Sequence, residues 1–217
     1  MEGGENDMKI LGISGSPRKA ATEYVVKEAL NEIQKKYPDI ETEYMSLRGK
    51  KLAPCTHCDY CKRKKDWCII KDDGNALIKQ MIEADAFVIG TPVYVMEPTP
   101  QMMALFSRMR PIHHVFPEAL RNKLGVSLAV GGARNGGQEL AVNALNNMML
   151  TRGINVISNE VFGYHGGKIW SQDNGGKGAG DDTVGMKTVT DLVLKLAENA
   201  LIYEAGKIAL AQSNDCR

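Results

Sequence analysis

Short apolar runs alternate along this chain with longer stretches in which apolar residues return every three or four positions. That alternation predicts strands joined by helices, and hence a parallel sheet built from βαβ units. Lys9 to Ile13 reads as the first strand. A helix over Glu23–Lys36 follows, its inner face made by Val25, Val26, Ala29, Leu30 and Ile33, with Thr22 as its cap. Glu41–Leu47 alternates as strand two, and Asn75–Ala84 is helical. Ala86–Gly90 is the most continuously apolar run, so it belongs at the sheet centre. A helix over Thr99–Met109, a fourth strand over Lys123–Val130, a helix over Gly137–Arg152 and a fifth strand over Asn155–Phe162 continue the pattern. Thr183–Gln212 closes the chain as a helix with an apolar stripe through Val189, Leu192, Val193, Leu196, Leu201 and Ile208. Five such strands suit a doubly wound sheet in the order 2-1-3-4-5.

Two segments break the rhythm. Residues 54–72, after strand two, are bounded by Pro54 and by Asp72-Asp73-Gly74 and read as an inserted loop. Gly163–Asp182 is rich in glycine and reads as a mobile loop, with Tyr164, His165 and Trp170 near its start as a cover for the ligand site. No linker divides the chain, so residues 8–213 are expected to form a single domain, with 1–7 a flexible N-terminal extension.

The chain has 217 residues, enough for one well-buried domain. With 27 basic and 26 acidic side chains its net charge is +1, which gives no global bias toward nucleic acid or a membrane surface. No apolar run is long enough to span a bilayer, and no signal peptide opens the chain. Together with cysteines that read as ligands, these features make a cytoplasmic location the expectation.

Four of the cysteines, Cys55, Cys58, Cys61 and Cys68, have the spacing C-x2-C-x2-C-x6-C. Three thiols two residues apart can wrap one small object, and the leading C-x2-C-x2-C is the run that seats a cubane iron–sulfur cluster in ferredoxin-type chains. Four thiolates are also a structural zinc set, although zinc sites more often pair two C-x2-C knuckles across a longer stretch. A disulfide knot is disfavoured in a reducing compartment. Within the motif, Lys62-Arg63-Lys64-Lys65 suits docking of an acidic electron carrier, Trp67 suits shielding of the metal group, and His57 is assigned to the surface. Cys216 stands apart near the C-terminus. His113-His114 is assigned to a surface or interface, and Met102, Met103 and Met109 to core or subunit contacts.

Three loops follow strand ends that meet at one crevice. In open α/β sheets ligands bind beyond the carboxyl ends of the strands, at the switch in strand order. After strand one comes Ser14-Gly15-Ser16-Pro17-Arg18, a tight turn opening a helix, which supplies backbone N–H groups, hydroxyls and a cation to an anion. After strand three comes Thr91-Pro92-Val93-Tyr94-Val95-Met96, stiffened by Pro92, with Tyr94 able to face a planar ring. After strand four, Gly131, Gly132, Gly136 and Gly137 allow backbone to approach a flat ligand.

These three loops resemble those of NADPH-dependent FMN reductases, and the cysteine motif narrows the resemblance to the iron–sulfur flavoproteins of anaerobic archaea. The resemblance runs from about Met8 into the final helix. It implies a flavodoxin-like fold with FMN at the switch point, Ser14, Ser16, Pro17, Arg18 and Thr22 around its phosphate, and Pro92, Val93, Tyr94, Val95 and Met96 along its ring. Gly131, Gly132 and Gly136 would approach the ring's polar edge. It further implies a [4Fe–4S] cluster on Cys55, Cys58, Cys61 and Cys68. A homo-oligomer, dimer or tetramer, would bring cluster and flavin together across subunits. Ala20-Ala21 departs from the Asn or Gly-Asn common in relatives. The implied function is electron transfer from a ferredoxin-like carrier through cluster and FMN, with oxygen, hydrogen peroxide or quinones as acceptors. Two alternatives stand beside it: an NAD(P)H-dependent FMN or quinone reductase with structural zinc, and a flavin-binding redox sensor.

Overall fold

The computed structural model describes residues 8–160 and 165–214. The N-terminal extension 1–7, residues 161–164 (including Phe162, Gly163 and Tyr164) and Cys216 lie outside the described residues. Strands β1 (Lys9–Ser14), β2 (Glu41–Ser46), β3 (Ala86–Pro92) and β4 (Leu124–Gly131) are parallel, and with β5 (Asn155–Val156) they take the order β2-β1-β3-β4-β5. This is a flavodoxin-like, doubly wound arrangement, as the alternation of strands and helices predicts.

The two-residue period of each strand divides its side chains between two cores. Ile10, Val88, Val126 and Leu128 face α1 (Ala21–Lys36) and α8 (Thr183–Asn214), while Leu11, Ile13, Phe87 and Ile89 face helices on the opposite side. Those helices are α3 (Gly74–Glu83), α4 (Pro100–Ser107) and α6 (Gln138–Leu150), which contribute Leu77, Ile78, Met81, Met102, Leu105, Leu145 and Met149. β3 and β4 are buried almost throughout because helices cover both their faces. Of the three methionines assigned to core or contact positions, Met102 and Met109 are fully buried and Met103 is exposed.

The fifth strand differs from the sequence expectation. Only Asn155 and Val156 pair with the start of β4, and β6 (Gly167–Trp170) then takes the same edge, Leu128 to Gly131 of β4 aligning with Gly167 to Trp170. Between them the chain leaves the sheet, and the buried Asn159 amide donates to the carbonyl of Thr188 on α8 at 2.7 Å. The return needs Gly166: its φ is +71°, and a Cβ there would stand 2.4 Å from Val142. Gly166→Ala combines backbone strain with overpacking. It is expected to cost about 1–3 kcal/mol, read as a lower urea midpoint.

The glycine-rich span is therefore a strand and a short helix, α7 (Gly175–Asp181), not a loose loop in its described part. Its small residues let α7 lie directly on Tyr24 of α1. The stripe of α8 also ends early: Val189 to Leu196 are buried, whereas Leu201 and Ile208 are exposed. No helix among the described residues is long and apolar enough to cross a membrane.

Candidate functional site

The carboxyl ends of β1, β3 and β4 open onto one cleft. It is lined by Ser16, Arg18, Ala20, Ala21 and Thr22 from the first loop and α1, Pro92, Val93 and Tyr94 from the second, and Val130 and Gly132 from the third. Ser171, Asp173 and Gly175 complete it. Ala20 stands at the N-cap of α1 and no side chain caps the helix there, so the first-turn N–H groups are presented toward the cleft. Thr22, expected as the cap, instead sits inside the first turn, buried. Ser16 organises the turn: its Oγ accepts from the N–H of Arg18 at 3.1 Å and donates to the Arg18 carbonyl at 2.9 Å.

The remaining residues expected around the flavin lie beside the cleft. Ser14 is buried, and its Oγ accepts from the Ser16 N–H at 3.4 Å. Pro17 is half-buried in the same turn. Val95 and Met96 form the tip of a tight turn closed by a Tyr94–Glu97 bridge, with φ of +50° and +67°. A β-branched residue in that region is strained, and Val95 is 98% exposed. Val95 and Tyr94 also line an apolar groove with Leu52, Pro54, Pro98 and Met103, on the side of the cysteine segment. The Gly131 carbonyl accepts from the Ser171 N–H at 2.8 Å, and the Gly136 N–H donates to Gln138 Oε1 at 2.8 Å.

Ser171, Asp173 and Gly175 were missed because glycine was read as looseness. A Cβ on Gly132 would lie 2.4 Å from the Asp173 carboxylate, so the glycine leaves room for that side chain at the cleft. Trp170, expected as a mobile cover, is pinned. Its Nε1 donates to the Gly132 carbonyl at 2.8 Å, and Arg134 lies 4.2 Å over its ring.

The four motif cysteines are free thiols and line a second cavity, together with Tyr60, Ile69, Ile70, Arg108, Arg110 and Pro111. The segment winds through left-handed residues, His57, Asp59 and Lys65, and through the short α2 (Tyr60–Lys64). The Cys55 N–H donates to Ser107 Oγ at 3.2 Å, and the His57 N–H donates to the Cys55 sulfur at 3.4 Å. Arg110, opening α5 (Arg110–His114), approaches the exposed His57 ring at 2.7 Å and pairs with Asp59. His113 is exposed and His114 half-buried, where its burial and the Arg110 cation lower its pKa. Trp67 packs against Phe116, ring centroids 4.7 Å apart, and does not line this cavity; Ile69 and Ile70 do. Lys62, Arg63, Lys64 and Lys65 are all exposed.

Among the described residues, no three Cys, His, Asp or Glu side chains converge as a single-ion site requires. The thiols instead stand around a shared cavity with two arginines and no carboxylate ligand beyond the Asp59 wall. Four thiols on one cavity are a donor set that a thiolate-bound iron–sulfur group uses, and tetrahedral zinc uses the same set.

The fold and the crevice define a class, the doubly wound α/β proteins that bind a ligand at the switch point of the sheet. The comparisons with known proteins make the class specific. The model of the NADPH-dependent FMN reductase family matches residues 8–167. An iron–sulfur flavoprotein of Methanocaldococcus jannaschii is 40% identical over 183 residues, covering 84% of this chain and 91% of that protein. One from Methanosarcina thermophila is 36% identical over 192 residues, covering 88% and 94%. Among solved structures, RosB superposes with a TM-score of 0.69 at 18% identity, over 96% of this chain and 86% of that one, and this likeness speaks for the fold alone. The chain belongs to the iron–sulfur flavoproteins of the FMN reductase family, and so to the flavin-dependent oxidoreductases.

Proposed function

We propose that this protein carries electrons between a low-potential, ferredoxin-like donor and a small oxidant, oxygen, hydrogen peroxide or a quinone, using FMN in the cleft and a [4Fe–4S] cluster on Cys55, Cys58, Cys61 and Cys68. The single observation that carries the reading is the grouping of four thiols on one cavity in a chain that also carries a cleft at the sheet's switch point. FMN exchanges one or two electrons and the cluster one at a time, so the pair would convert between the two regimes.

The chain's own residues do the rest. The uncapped start of α1, with Ser16, Arg18 and Thr22, offers N–H groups, hydroxyls and a cation to a phosphate. Pro92, Val93 and Tyr94 form the apolar wall for a ring, and Asp173 can accept from a ribityl hydroxyl. The His57 N–H already points at the Cys55 sulfur, a donor for a bound thiolate. Assembly of like subunits, as a dimer or tetramer, would bring the apolar groove and its strained, exposed turn into a contact between copies.

The exposed Lys62–Lys65 run suits an acidic carrier. Changing these four residues to Gln is expected to slow reduction by ferredoxin at least about tenfold at low salt and to flatten its salt dependence. An unchanged association rate in stopped-flow mixing would contradict the docking role. The family match favours one rival donor, NAD(P)H. Anaerobic assays decide between them: flavin bleaching by reduced ferredoxin, with slow or no bleaching by NAD(P)H, is the expected result, and rapid NAD(P)H oxidation with ferredoxin inert would reverse the assignment.

A further inference from the structure

Arg108, at the C-cap of α4, has a side chain that is 0% exposed. Its Nη1 donates to Asp72 Oδ2 at 2.7 Å and to the Ala53 carbonyl at 3.0 Å, and Nη2 donates to the Ile70 carbonyl at 3.4 Å. Ala53 and Ile70 stand two residues outside the two ends of the cysteine motif, so one guanidinium ties both ends. Asp72 matches the buried positive charge and also accepts the N–H groups of Ala53 and Gly74. These contacts would suffice for a purely structural tie. Two observations exceed it: Arg108 lines the cavity of the four thiols, and its Nε is buried with no hydrogen-bond partner. A native structure keeps an orphaned buried donor for a reason.

Resting on the function proposed above, we propose that Arg108 is a positioning residue for the iron–sulfur group, presenting a fixed buried cation and N–H donors to the Cys68 side of the shell and setting its reduction potential, with Asp72 as the opposing charge. One-electron reduction by the external carrier adds one negative charge to the four-thiolate shell and breaks no bond. A nearby cation stabilises that added charge, and N–H donation to sulfur acts in the same direction. A guanidinium stays charged at any working pH, and the Asp72 carboxylate 2.7 Å away compensates its burial. Asp72 opposes it from the far side: burial disfavours its charge, but Arg108 and the two N–H groups hold its carboxyl below the usual range.

The test is potentiometric titration of the intact protein, following the reduced cluster by electron paramagnetic resonance, in Arg108→Gln, Asp72→Asn and Arg108→Lys. Arg108→Gln is expected to shift the one-electron equilibrium at least tenfold toward the oxidised form, a fall of about 59 mV. Asp72→Asn is expected to move it the opposite way, and Arg108→Lys, which keeps the charge, to stay within about threefold of the unsubstituted protein. Opposite signs are the signature, because loosening a structural tie would move Arg108→Gln and Asp72→Asn in the same direction or not at all. If Arg108→Gln fails to retain iron, Asp72→Asn decides: a raised potential supports the assignment, an unchanged or lowered one overturns it. An unsubstituted protein without iron and sulfide would defeat the proposed function itself. A loaded protein whose potential ignores both residues would defeat this inference alone.

Discussion

Replacing any one of Cys55, Cys58, Cys61 or Cys68 by Ala should strip iron and sulfide from the protein while leaving FMN bound. The four thiols line a single cavity, and Asp59 is the one carboxylate on its lining. The nearest alternatives are poor. Asp59 is engaged by Arg110, and the His57 ring lies against the same guanidinium, pointing to solvent. Changes to outer groups around metal sites typically cost 10–100-fold in affinity. Loss of a ligand should cost on the order of a hundredfold or more, visible as loss of the broad charge-transfer absorption. FMN should stay, because the cleft and the cysteine cavity share no lining residue. Loss of FMN in step with iron in every variant would mean that the two sites are not separable in this way.

The second large effect concerns the phosphate end of the cleft. Thr22→Asp places a carboxylate in the first turn of α1, where an acidic residue suits the helix dipole and should not disturb the helix. The same charge would face the phosphate that we propose for this end of the cleft. Two like charges about 4 Å apart repel by about 4 kcal/mol at the effective dielectric of a protein surface, on the order of a thousandfold in affinity. FMN binding should weaken by about that factor, whereas riboflavin, which lacks the phosphate, should bind the variant about as well as it binds the original protein. Fluorescence titration with both flavins checks it. Equal weakening of both would show that Thr22 shapes the cleft without meeting a phosphate.

The order of the sheet was legible because β3 and β4 are buried on both faces and their apolar runs are unbroken. The crevice was legible for a topological reason: loops after neighbouring parallel strands converge wherever the order reverses. The helix start was misplaced by two residues, since a threonine before an apolar stripe carries the same signal whether it caps the helix or lies within it. The second half of the edge strand, with Ser171, Asp173 and Gly175, was hidden by its glycines. Composition reports that glycine permits looseness, whereas a Cβ at Gly132 or Gly166 would run into the side chain of Asp173 or Val142. Arg108 carried a weak signal, an arginine two and three residues beyond Phe106 and Leu105 at the end of a largely apolar helix. Its partner Asp72 had been read only as part of a turn, and nothing short of the fold brings those two together.

The central claim is that the four-cysteine cavity holds an iron–sulfur cluster working with FMN. Metal, sulfide and flavin analysis of protein purified without oxygen tests it most directly. About four irons and four sulfides per chain, with one FMN, is the result expected for a cubane cluster. Stoichiometric zinc without sulfide, on a protein that still binds FMN, would contradict it.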